Sequence, residues 1–84
     1  MTTIRLFGGD LGSEICRVKC DLTQAAAPVL ADYDNGEGWV STQYQCADAS
    51  HSPEGLAGLG TELAARACEM PADEFDCEWT TEMD

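Results

Sequence analysis

Positive charge is what this sequence has least of. Lys and Arg number four in 84 residues, against sixteen Asp and Glu, for a formal net charge of −12. Such a surface repels the phosphates of DNA and RNA, so direct nucleic-acid binding is not expected, and it repels anionic membranes for the same reason. Long apolar runs are missing too. No window approaches the roughly 20 apolar residues of a membrane span. The opening stretch MTTIRLFGGDLGSEI has no apolar run behind a basic segment, so no signal peptide is read there. A cytosolic location with reduced thiols is the expectation. The five cysteines are an odd number, so full oxidation would still leave one thiol over.

What is present suffices for one small domain. A chain of this size buries little more than roughly 60% of its unfolded surface, so its core is thin. A hydrophobic content of 44% lies in the ordinary globular range and argues against wholesale disorder. The charge is uneven: residues 1–66 hold nine acids and four bases, and residues 67–84 hold seven acids and no base. The plain reading of such charge is solubility or a halophilic source. The sharper reading is a surface made to meet a basic partner.

The hydrophobic pattern predicts strand, helix, helix, strand, helix, strand. Residues 2–7 read as a strand with Ile4 and Leu6 on one face. Asp10 could then cap a helix carrying Leu11, Ile15, Val18 and Leu22 as its stripe. A strand with Cys16, Val18, Cys20 and Leu22 on one face competes with it, and the helix is preferred. Thr23 could cap a second helical segment through Tyr33, bent by Pro28. Residues 34–38, DNGEG, are a strong turn signal, and 39–46 form the second strand. Ser52-Pro53 opens a helix that stops by Pro71, with Leu56, Leu59, Leu63, Ala67 and Met70 on one side. Residues 74–80 make the third strand, with Phe75, Cys77 and Trp79 inward and 81–84 frayed. The predicted fold is a small α+β domain: a three-stranded, mostly antiparallel sheet flanked by about three helices.

Few residues suggest chemistry. Cys16 and Cys20, with Cys46 and His51, make a conceivable zinc set, but structural zinc ligands usually come in close pairs from turns. Two small buried residues are the simpler account of Cys16 and Cys20. A Cys–His nucleophile is disfavoured because the negative field should raise thiol pKa values. No GxxxxGK phosphate loop is present. Neither catalysis nor a metal or other cofactor is therefore expected. Cys68 shares a stripe of small residues with Ala57, Thr61 and Ala64. That stripe is either a flank for close packing or an exposed surface where two copies meet and Cys68 cross-links a homodimer.

The acids carry the functional expectation. On a strand over 74–80, Glu74, Asp76 and Glu78 would stand about 6.6 Å apart, at roughly 3.3 Å per residue. Asp73 adjoins them, and Asp32, Asp34 and Glu37 crowd the earlier turn. A rigid row of carboxylates imitates a phosphate backbone. A groove lined by Lys and Arg would accept it by the counterion release that favours DNA.

The chain as a whole, from MTTIRLFGGDLGSEICRVKC through DNGEGWVSTQYQC to the acidic end, resembles the small phage-encoded anti-CRISPR proteins. The inhibitors of type I systems, with type I-C among them, are nearest in character. The resemblance rests on size, acidity, element order and general sequence character, and it carries over no site residue. It implies a non-catalytic inhibitor in the infected bacterial cytoplasm that binds the CRISPR surveillance complex, Cascade, on its basic DNA-binding surface. Asp73, Glu74, Asp76, Glu78, Asp32, Asp34 and Glu37 are the expected contacts. Two alternatives stand beside it: a DNA mimic aimed at another protein, such as a restriction or nucleoid protein, or a small Cys/His metal module.

Overall fold

The computed structural model describes residues 1–8, 12–24, 27–44 and 52–83. Its elements are β1 (Thr2–Gly8), β2 (Ser13–Cys20), β3 (Val29–Asp34), β4 (Trp39–Tyr44), α1 (Pro53–Ala67), a 3-10 helix (Ala72–Glu74) and β5 (Cys77–Met83). All pairings are antiparallel, and the five strands lie in the order β4-β3-β2-β1-β5. Among the described residues the expected three-stranded sheet with about three helices is thus corrected to a five-stranded sheet with one α-helix.

Two predicted helices are strands, each for a physical reason. In β2, Cys16, Val18 and Cys20 are buried at alternate positions. Counting cysteine as a small apolar residue makes period two about as strong a signal as the helical stripe, and pairing with β1 and β3 decides for the strand. In the second case Pro28 decides. It has no N–H to donate, and it biases Ala27 away from helical geometry. The chain after it alternates cleanly: Val29 and Ala31 are buried, and Tyr33 packs on the core. Among the described residues the helix expected there does not form.

The β3–β4 turn follows its sequence. Asp34 accepts a hydrogen bond from the Gly36 amide at 2.8 Å, and Asn35 accepts one from Glu37 at 2.9 Å. Gly36 has φ 92°, a left-handed value that favours glycine. The expected strand after the turn is present as β4; Gln45 and Cys46 lie outside the described residues.

Helix α1 starts as read. Ser52 caps it by accepting from the Gly55 amide at 3.0 Å, and Pro53 takes the first turn. Its buried face carries Leu56, Ala57, Gly60, Leu63, Ala64 and Ala65. The small-residue stripe is therefore a packing flank against the sheet. Gly60 is required by close approach: a Cβ there would lie 2.6 Å from Leu6 Cδ1 and 3.1 Å from Val18 Cγ2. Among the described residues the helix packs mainly on β2, then β1 and β3, barely touches β5 and does not reach β4. The core between helix and sheet is small, with Ile4, Leu6, Val18, Val29 and Leu56 its largest fully buried side chains.

The last strand begins three residues later than expected. Glu74 ends the 3-10 helix, and β5 runs to Met83, with Thr81, Glu82 and Met83 paired to Ile4, Thr3 and Thr2. Phe75 and Cys77 do pack on the core. Trp79 does not enter it. It lies opposite Leu6 on the helix side, but α1 hardly reaches this edge, and Trp79 stays 40% exposed. Trp39 is 49% exposed, so neither tryptophan is a core residue.

Candidate protein-binding surface

The sheet has one face under α1 and one open face. Register assigns each strand's residues to them. Opposite Arg5 stand Arg17 on β2 and Thr80 on β5, and opposite Arg17 stands Asp32 on β3. In the same way Thr3 lies between Lys19 and Glu82, and Asp32 faces Ser41. Arg5, Arg17 and Lys19 are three of the four basic residues, and all stand on this open face in the adjacent interior strands β1 and β2. The sequence reading had no place for this basic stripe. Arg17-x-Lys19 signals it only once β2 is taken as a strand.

Most of the stripe is neutralised from within. A register irregularity after Leu6 places Glu14 opposite Phe7, on the open face. Glu14 takes Arg17 at 2.6 Å and Arg5 at 3.6 Å. Glu82 takes Arg5 from the other side at 3.3 Å. The result is a chain of four alternating charges, Glu82–Arg5–Glu14–Arg17. Among the described residues Lys19 makes no ion pair. A shallow hollow beside it is lined by Leu30, Asp32, Ser41 and Gln43, and a second hollow, without Lys19, by Glu14, Arg17, Asp32 and Trp39.

The seven predicted contact acids fall into two groups on opposite sides of this stripe. Asp32 and Asp34 share the open face of β3, with Glu37 in the adjoining turn. Asp32 also accepts a 2.6 Å hydrogen bond from the Ser41 hydroxyl. Asp73 and Glu74 lie on the 3-10 helix, Asp76 follows it, and Glu78 is on β5. β3 and β5 are three strand steps apart, about 14 Å at ~4.8 Å per step. The acids do not form one row, and the even spacing expected for Glu74, Asp76 and Glu78 is replaced by a helical turn leading into a strand. On β5 itself the acids that share the open face are Glu78 and Glu82. All seven predicted acids except half-buried Asp32 are exposed, and none makes an ion pair among the described residues.

The cysteines are placed differently from the zinc reading. Cys16 and Cys20 lie four strand positions apart in the core, on one face with Val18 between them, not one helical turn apart. Burial pushes the Cys16 thiol up to about 12, and the nearby charges of Asp32 and Glu14 push the same way, so it is held protonated. Cys46 and His51 lie outside the described residues. Among the described residues, no three His, Cys, Asp or Glu side chains gather in a set that could hold a metal. Cys68 is exposed just beyond α1. Among the described residues, no helix is long and apolar enough to cross a membrane.

Compared with known protein families, curated proteins and solved structures, the chain matches none of them.

Proposed function

We propose that this protein is an acidic inhibitor that docks on the basic DNA-binding surface of a Cascade-type CRISPR complex and keeps target DNA out. The reading is carried by the seven acids on either side of the basic strands β1 and β2; these acids have no basic neighbour within ion-pair distance among the described residues. The few bases of the sheet are largely occupied by Glu14 and Glu82, so these carboxylates remain for a partner. A Lys- and Arg-lined groove would gain from them by releasing its own counterions, and association would be fast and salt-sensitive. The choice of Cascade comes from the resemblance in size, acidity and sequence character. The element order first read with it is replaced by ββββαβ. In this reading the protein works in the bacterial cytoplasm, without catalysis or cofactor.

The test is a DNA-binding assay with a purified Cascade-type complex. Wild-type protein should displace labelled target DNA, and rising salt should abolish its binding. Reversing Glu74, Asp76 and Glu78 to Lys should weaken inhibition on the order of tenfold or more, since like charges then face one another. Asp34→Lys with Glu37→Lys tests the other group. If both variants inhibit like the wild type, the acidic surface is not the contact. If the wild type ignores Cascade, a pull-down from host lysate eluted with salt identifies the target. Another basic DNA-binding protein in that eluate would keep the mimicry and replace the partner.

A further inference from the structure

The edge strand β5 is unusual in three respects. It is seven residues long and pairs on one side only, with β1. Six of its seven residues are exposed, so nothing described covers its outer side. Its two faces differ in chemistry: Glu78 and Glu82 stand on the open face of the sheet, while Trp79 and Met83 stand on the helix side, where α1 barely reaches. Every second residue of such a strand turns its N–H and C=O away from the sheet.

We infer that β5 is a docking edge for an extended, basic segment of a partner protein, which joins the sheet as a sixth strand. A row of unpaired backbone groups supplies the affinity of strand addition, and alternate side chains supply its selectivity. On one face the added strand would set Lys or Arg against Glu78, which makes no ion pair among the described residues, and against Glu82, which already shares its charge with Arg5 at 3.3 Å. On the other it would set apolar side chains against Trp79 and Met83. The segment is thus a short alternation of basic and apolar residues. A second copy of this chain fits badly. Two β5 strands paired about Thr80 would set Glu78 of each copy against Glu82 of the other, and like charges directly opposite destabilise a ladder. The same carboxylates that discourage self-pairing select a basic strand.

The inference rests on the proposed function for one thing, that the partner is a basic protein. It can fail alone, so its test uses no Cascade. The probe is a capped heptapeptide of alternating lysine and valine, titrated into isotopically labelled protein and followed by NMR. Expected are shift changes concentrated in β5, and Hα–Hα contacts between the peptide and β5. A peptide of the same composition with lysines and valines in separate blocks should bind several-fold more weakly. The alternating peptide N-methylated throughout keeps its charge but donates no N–H, and should lose binding. Glu78→Lys should weaken binding about three- to tenfold with the β1–β5 contacts intact, and Trp79→Thr should weaken it independently of salt. Equal binding of the methylated and unmethylated peptides would overturn the inference, leaving only electrostatic adsorption. So would shifts centred on β4 or the β3–β4 turn, or a concentration-dependent dimer joined through β5 in the absence of peptide. Wild-type protein that binds the peptide but leaves DNA binding by Cascade unchanged would sink the proposed function and leave this inference standing.

Discussion

Cys16 and Cys68 show how placement decides the chemistry of one residue type. Cys16 is fully buried opposite Leu6 and Tyr33, and its thiol is raised from 9.0 to about 12, first by desolvation and then by nearby acids. A group whose native pKa lies above its unfolded one contributes stability that is complete below the unfolded value and is lost as pH climbs through the native one. Between pH 9 and 12 the unfolded chain therefore releases a proton that the native chain keeps. One such group steepens the loss of stability by up to about 1.4 kcal/mol per pH unit. Cys16→Ala should be less stable near neutrality and yet show a shallower alkaline decline, measured by urea unfolding across that range. The difference between the two curves isolates Cys16 from the other titrating groups. In native protein a thiol reagent should modify exposed Cys68 well before buried Cys16 and Cys20. Non-reducing mass spectrometry of wild type and Cys68→Ser then reports whether Cys68 links two copies.

At the scale of elements, α1 ends with a conflict that can be relieved. The Met70 amide bonds to the Ala65 carbonyl at 2.9 Å and the Glu69 amide to Arg66 at 3.1 Å, closing the last turn around Glu69. Glu69 takes φ 58°, the left-handed region where a side chain costs roughly 1–2 kcal/mol and glycine costs almost nothing. Its charge also sits at the negative end of the helix dipole. Glu69→Gly should therefore stabilise the fold by about 1 kcal/mol, visible as a higher urea midpoint at unchanged slope. A neutral or destabilising result would mean that the exposed Glu69 side chain makes a contact this geometry does not contain. The helix was legible in the sequence because its signals are local: Ser52 and Pro53 at the start, and leucines at helical spacing. β2 was not, because Leu11, Ile15, Val18 and Leu22 fit a helix about as well as Cys16, Val18 and Cys20 fit a strand. Only the long-range pairing with β1 and β3 breaks that tie. Trp79 was misread for a related reason. Its alternation is real, but burial depends on how far α1 extends over the sheet, which no local pattern reports. The acids predicted as contacts were legible as acids, and their division between the two sides of the basic strands was not. That division follows from the strand order, which puts β1 and β2, with the basic residues, between β3 and β5.

For the whole molecule the question is whether −12 charges on a body of 35 × 24 × 20 Å repel more than the Glu82–Arg5–Glu14–Arg17 chain attracts. Salt weighs the two against each other. At ~0.01 M the screening length is about 30 Å, so carboxylates on the two sides of the basic strands feel one another, while at ~0.1 M it is about 10 Å and the two sides are largely independent. The attractive contacts at 2.6–3.6 Å lie well inside either length and are screened less. Raising sodium chloride over that range should therefore stabilise the protein, by on the order of 1 kcal/mol, or about 4–8 °C in thermal midpoint for a domain of this size. Chloride is the informative anion, because sulfate would stabilise by exclusion from the surface whatever the charge. A midpoint that falls with chloride would mean that the ion chain outweighs the repulsion. A rise with salt would mean that the unpaired acids are held at a standing cost to the fold. A basic partner would remove that cost on binding, so the same acids that destabilise the free protein would strengthen its complex.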